Sequence, residues 1–193
     1  MKVIAFNGSA RKNGNTSILI NTVLQELQDK DIATETFNLR KTHLQGCIAC
    51  QKCFENKDQR CSVTTDALND CLEKMLEADA IILGTPTYFS DVSTEMKALI
   101  DRAGYVAKAN GSMFRRKVGA GVVAVRRAGS IHAFTTLNNF FLISEMIIPG
   151  SNYWNMGIGR DKGDVEQDAE GLGTMKLLGQ NMLWLLQKIN ARR

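Results

Sequence analysis

The sequence has no run of about 18 apolar residues, the length a helix needs to cross a bilayer, and no charged, apolar and small-residue succession of a secretory signal before its first strand-like segment. Both absences point to a cytoplasmic protein with no membrane partner. Dense basic runs are also missing: 24 Lys and Arg against 20 Asp and Glu are dispersed, with only short groups such as Arg115-Arg116-Lys117 and Arg126-Arg127. A nucleic-acid binder concentrates such charge on one face, often with interleaved aromatics, so the formal charge of +4 suits small anionic ligands instead. The two histidines, His43 and His132, lack metal-ligand spacing and read as surface or helix-terminus residues. No linker, repeat or low-complexity tract interrupts the chain, so 1–193 reads as one domain, long enough to bury a sizeable core.

What is present begins at the start of the chain. Val3-Ile4-Ala5-Phe6 is apolar on both faces, as a central parallel strand is, and it runs into the polar turn Asn7 to Gly14. Asn15, Thr16 and Ser17 then supply capping side chains for a helix. An anion placed there meets free backbone N–H groups and the positive end of the helix dipole. The spacing separates this loop from two others. Five residues lie between Gly8 and Gly14 and Asn15 follows, so it is not the loop of a nucleoside triphosphatase. Gly8-Ser9-Ala10 lacks the second glycine of a dinucleotide fingerprint, and Gly157-Ile158-Gly159 matches that fingerprint only in part and too late in the chain.

Beyond this loop, helix and strand signals alternate. Helices are expected over Thr16–Asp29, Asp66–Ala78, from Ser93, over Ile131–Met146 and over Asp168–Asn190; strands over Thr34–Leu39, Ala80–Leu83, Lys117–Val125 and Ile147–Tyr153. Cys71 falls in an apolar helical stripe and reads as a buried thiol. Five alternations with strands buried on both faces imply an α/β fold, a flavodoxin-like three-layer sandwich whose five-stranded parallel sheet has the order 2-1-3-4-5. In such a sheet the ligand sits beyond the carboxyl ends of the strands. Three loops leave that edge: Gly8 to Asn15, Thr85 to Asp91 and Arg126 to Ser130. In the second, Pro86 stiffens the turn, Thr85 and Thr87 offer hydroxyls, and Tyr88 or Phe89 can stack on a planar ring.

Four of the five cysteines, Cys47, Cys50, Cys53 and Cys61, lie within fifteen residues. Without a signal peptide, such crowding suggests metal or redox chemistry more than a disulfide framework. A thiolate every third residue wraps tightly, which suits the corners of a 4Fe-4S cubane, whereas zinc knuckles usually stand about 12 to 20 residues apart. The fourth cysteine follows the charged segment Glu55 to Arg60 and no proline comes after it. Cluster, redox-active thiols and zinc therefore remain alternatives for a cysteine-rich insertion at about 41–65.

Gly8 to Ser17, together with Thr85-Pro86-Thr87-Tyr88-Phe89-Ser90 and Met96-Lys97 to Asp101-Arg102, resembles the NADPH-dependent FMN reductase family. The cysteines make the chain most similar to that family's iron-sulfur flavoprotein branch. The resemblance implies FMN bound at the three loops and a homodimer or homotetramer. It places Ser9, Arg11, Asn15, Thr16 and Ser17 on the phosphate and Pro86, Thr87, Tyr88 and Phe89 along the flavin; Asn13, Thr85, Ser90, Arg126, Arg127 and Gly129 complete the expected cofactor-binding set. Arg126 and Arg127 could meet the flavin N1 and C2 carbonyl or the phosphate of an incoming nicotinamide nucleotide. The flavin carries the chemistry, so no catalytic side chain is required. The expected activity is an oxidoreductase that takes hydride from NAD(P)H and passes electrons to a small acceptor (flavin, quinone or similar) or through a cluster. Two alternatives stand beside it: a non-enzymatic electron carrier fed by ferredoxin, and a redox-sensing or structural metal protein. The loop Trp154 to Gly163 could shape an acceptor pocket or a subunit interface.

Overall fold

A computed structural model describes residues 1–190. Strand β1 (Lys2–Asn7) shows how the layers arise. Side chains alternate across a strand, and Val3 and Ala5 enter one apolar cluster while Ile4 and Phe6 enter the other. All four are fully buried. Strand β3 (Ala80–Pro86) repeats the division, with Ala80 and Ile82 on the first side and Ile81 and Leu83 on the second.

The first side is closed by α1 (Asn15–Gln28) and α6 (Ala169–Asn190), through Leu19, Ile20, Val23 and Leu27 of one and Met175, Leu178 and Met182 of the other. On the second side lie α3 (Leu68–Glu77), α4 (Thr94–Ala109) and α5 (Ser130–Ile143). The helix α2 is a short piece, Lys52–Asn56. Strand β4 (Val118–Val125) carries two glycines toward α5. A Cβ on Gly119 would stand 2.7 Å from Phe141, so the glycine lets the helix approach the sheet closely.

The sheet has the order β2-β1-β3-β4-β5 and every pairing is parallel, with β2 at Ala33–Asn38 on one edge. This is the flavodoxin-like arrangement expected from the alternation. The fifth strand differs from expectation: β5 is Met156–Ile158, not Ile147–Tyr153. Ile147 forms only a single bridge to Val118 at the start of β4. Pro149 has no N–H to continue that ladder, and the chain leaves the sheet until Asn155 accepts from the Val123 N–H at 3.0 Å. The edge of β4 is thus paired at both ends, with residues 148–154 looped out between them.

No described helix is long and apolar enough to cross a membrane.

Candidate functional site

A cavity of about 380 Å³ opens at the carboxyl ends of β1, β3 and β4. Ser9, Arg11, Asn15 and Thr16 line it from the first loop, and Pro86, Thr87 and Tyr88 from the second; Ala124, Val125 and Arg126 come from the end of β4. Buried Asn7 organises the floor: its Oδ1 accepts from the Ser9 N–H at 3.0 Å, and its Nδ2 donates to Ser17 Oγ at 2.9 Å. The Ser9 hydroxyl in turn accepts from the Arg11 N–H at 3.2 Å.

The residue before α1 is Gly14, which has no side chain to cap the helix. This corrects the expectation that Asn15, Thr16 and Ser17 cap it. Asn15 is turned to a different partner: its Nδ2 donates to Asp161 O at 2.9 Å, and its Oδ1 accepts from the Gly163 N–H at 2.9 Å. Arg11 Nη1 donates to Arg160 O at 2.9 Å. The uncapped first turn, with its unpaired amides and positive dipole end, therefore borders the cavity.

These contacts bring in a fourth loop, part of the Trp154 to Gly163 stretch expected to shape an acceptor pocket or a subunit interface but absent from the expected cofactor-binding set. Gly159, Arg160 and Asp161 line the same cavity, because the Gly159 N–H bonds Val125 O at 2.8 Å and β5 ends beside β4. A Cβ on Gly159 would stand 2.7 Å from both Asn15 Nδ2 and Val165 N, so only glycine fits. The small-residue run Gly157-Ile158-Gly159, a partial match to a dinucleotide fingerprint, is its signal in the sequence.

Several expected residues stand outside the cavity walls. Ser17 and Thr85 use their hydroxyls internally: Ser17 Oγ accepts from Asn7, while Thr85 Oγ1 donates to Pro86 O at 2.9 Å and accepts from the Ser93 N–H at 3.0 Å. Asn13 (φ 50°), Phe89 (φ 45°) and Ser90 (φ 69°) are exposed turn residues in left-handed conformations. Arg127 is exposed. Gly129, at φ +88°, would bring a Cβ within 3.1 Å of Ser90 Cα, so it packs the third loop on the second. His43 and His132 are both exposed, and His132 Nε2 lies 3.6 Å from Asp91 Oδ2.

One polar atom in the cavity wall has no partner. Thr87 Oγ1 is sealed off from the open cleft and has no hydrogen bond, a costly state for a hydroxyl. A roughly 380 Å³ cleft with a few convergent polar groups is within the usual size of a cofactor site.

The cysteines surround a second, small cavity of about 30 Å³. Cys47, Cys50, Cys53 and Cys61 all line it, with Ile48, Val63, Tyr105, Val106 and Arg102. Left-handed Ala49 (φ 53°) and Gln51 (φ 61°) fold the chain back between successive cysteines. The Ala49 N–H donates to Cys47 Sγ at 3.4 Å, and Cys50 Sγ lies 3.3 Å from Ser62 Oγ. The Ser62 hydroxyl, with the Lys52 backbone, draws the Cys50 thiol below its ordinary range. Burial pushes the Cys53 thiol up, and the nearby Cys50 and Cys61 sulfurs push in the same direction. Among the described residues no three of His, Cys, Asp or Glu are grouped to hold a single metal ion. The fifth cysteine, Cys71, is in the core, where burial pushes its thiol up to about 12.

A parallel sheet of this order, with a polar cleft at the switch point between β1 and β3, defines a flavodoxin-like protein. Solved structures agree on the fold. A WrbA-like flavodoxin from Agrobacterium tumefaciens superposes with a TM-score of 0.65 at 16% identity, covering 97% of each chain. An NAD(P)H:quinone oxidoreductase from Methanothermobacter marburgensis gives 0.67 at 13% identity, covering 94% of this chain and 96% of that one. The family is settled by sequence: the NADPH-dependent FMN reductase model matches residues 1–161, and the chain belongs to that family. An iron-sulfur flavoprotein from Methanocaldococcus jannaschii is 37% identical over 98% of this chain and 99% of its own length. Another, from Methanosarcina thermophila, is 28% identical over 100% and 99%.

Proposed function

We propose that the protein is an FMN-dependent oxidoreductase that takes hydride from NAD(P)H and passes electrons to a small acceptor, or through a 4Fe-4S cluster on Cys47, Cys50, Cys53 and Cys61. The observation that carries the reading is the polar cleft of about 380 Å³ at the carboxyl ends of the strands, bordered by a helix N-terminus that no side chain caps. FMN, when bound, supplies the hydride and electron chemistry itself. The chain's residues bind and orient. Ser9, Arg11, Asn15 and Thr16 would receive the phosphate dianion at the start of α1, and the stiff Pro86-Thr87-Tyr88 turn would lie along the ring. Arg126 contributes a cation at the β4 end of the cleft, where it favours negative charge.

The cysteine cavity supports the cluster reading. All four cysteines line one largely apolar space, and apolar shielding with hydrogen bonds to sulfur is what such clusters need. The relatives named iron-sulfur flavoproteins support it as well. A single cytoplasmic domain over 1–193, with the cysteines as an insertion at about 41–65, completes the proposal. Exposed Leu142, Ile143 and Trp184 support self-association as a homodimer or homotetramer.

The test is the absorption spectrum of anaerobically purified protein before and after NADPH, with iron and acid-labile sulfide assayed on the same sample. Bound flavin that bleaches rapidly with NADPH is expected. Reduction by ferredoxin alone would make the protein a carrier, and a colourless protein would overturn the flavin assignment.

A further inference from the structure

We propose that Arg102 positions Cys61 in the thiol set and raises the reduction potential of the group those thiols hold. The inference rests on the cluster reading above. Arg102 is the largest fully buried side chain of the protein, although it belongs to a helix with an exposed face. A buried guanidinium is strongly unfavourable unless its N–H groups are matched; Nε has no partner, so the bonds of the two Nη groups state its role. Nη1 donates to Gln45 O at 3.1 Å and to the Asp66 carboxylate. Nη2 donates to Val63 O at 3.3 Å and to Cys61 Sγ at 3.4 Å. Three of these acceptors lie in the cysteine-rich stretch 41–65, and Asp66 follows it directly.

An ion pair needed only for stability would direct both arms of the fork to its carboxylate, the bidentate geometry guanidinium favours. Here one arm goes to Asp66 and the other to a sulfur and a backbone oxygen. Cys61 needs that hold more than its companions do. Cys47, Cys50 and Cys53 arrive on one tight wrap, whereas Cys61 follows seven intervening residues, Phe54 to Arg60. Its main chain is fixed separately: the Cys61 N–H donates to Asn69 Oδ1 at 2.8 Å, and Asn69 Nδ2 donates to Cys61 O at 3.0 Å. Asn69 therefore sets the backbone and Arg102 sets the sulfur. A buried positive donor on a ligand sulfur stabilises the more negative, reduced state, which is how hydrogen bonds to sulfur tune such centres.

The paired variant Arg102→Met/Asp66→Asn removes the guanidinium without leaving a buried carboxylate alone, and its one amide oxygen retains an acceptor for either the Gln45 or the Leu68 N–H, which in the wild type bond to separate carboxylate oxygens. Protection of Cys71 from alkylation reports that the core is intact. In the loaded protein, the midpoint followed spectroscopically should become more negative by a tenfold change in the reduction equilibrium, about 59 mV for one electron. A midpoint unchanged within twofold, at full iron content, overturns the tuning claim. A second arm needs no iron. Ferricyanide added to metal-free wild-type protein takes two electrons per pair of thiols, with release of two protons, and should join Cys61 to Cys50 or Cys53. The variant should give that disulfide in several-fold lower yield; equal yields overturn the positioning claim. Iron absent from native protein would sink the cluster reading while leaving this second arm decisive. If the double variant exposes Cys71, Arg102→Lys decides in its place: it keeps the charge and loses the fork, so the disulfide yield should still fall, and an unchanged yield refutes the proposal.

Discussion

Gly159→Ala tests whether the fourth loop is part of the cofactor cleft. The added methyl would meet Asn15 Nδ2 and Val165 N, each at 2.7 Å, and Asp164 Cβ at 3.1 Å. A backbone nitrogen cannot swing aside as a side-chain end can, so the 159–164 loop must move off the first loop. That motion breaks the bonds from Asn15 Nδ2 to Asp161 O, from the Gly163 N–H to Asn15 Oδ1, and from Arg11 to Arg160 O. At about 0.5–1.5 kcal/mol net for each bond, with water replacing the exposed partners, the loss is about 2 kcal/mol. For a chain of this length that lowers Tm by about 4–8 °C. The same displacement weakens FMN binding by about thirtyfold, since about 1.4 kcal/mol is a factor of ten. Both are measured on deflavinated protein, by calorimetry and by quenching of FMN fluorescence. Asn15→Ala removes two of the same three bonds, so the double variant should cost far less than the sum. Additive effects, or an FMN affinity within threefold of wild type for Gly159→Ala, would refute the reasoning.

Thr87→Val replaces the unpartnered buried hydroxyl with a methyl. The flavin-free protein should gain about 1 kcal/mol in urea unfolding while FMN affinity stays within about threefold of wild type; a loss of stability would contradict the reading of an unsatisfied buried hydroxyl. Glu35 is held below the ordinary carboxylate range first by its hydrogen bond to Lys74, against a desolvation that raises it, with Lys2 adding to the lowering. A depressed folded value means the contribution is complete above the unfolded carboxylate pKa and disappears as pH falls through the folded one. Glu35→Gln should therefore cost stability at pH 7 and nothing below the depressed value; equal losses at pH 7 and pH 3 would contradict this. Cys71→Ala should cost about 1 kcal/mol as a small core cavity and leave iron content unchanged, and iron loss would place the core thiol in the metal site.

The parts of this fold that were legible share one property: their signals are local. The strand Val3 to Phe6 shows burial on both faces, and the glycines of β4 announce a close approach that the Phe141 contact explains. The fifth strand was misplaced because Ile147 and Ile148 carry strand-like side chains, whereas the pairing that fixes β5 is a backbone match to Val123–Val125 that composition does not encode. Ser17 and Thr85 read as ligand contacts because a hydroxyl shows no direction in sequence, and here both are spent on Asn7 and Ser93. Arg102 was visible only as part of a family motif. A charged residue on an amphipathic helix reads as solvated, and its partner Asp66 is 36 positions away.

The interrupted edge of β4 separates two demands on one piece of chain. The bonds at Ile147 and at Asn155 hold the sheet, Ile148 packs on the core, and Gly150 O accepts from Asn181 of α6, so the exposed tip Asn152 to Trp154 can change length and content while the sheet and the cleft behind Gly159 keep their register. Doubling a loop costs only about 0.6 kcal/mol. This is therefore where the fold can be edited most freely: an insertion here would alter what approaches the molecule from that edge while leaving the residues proposed to hold the cofactor in place.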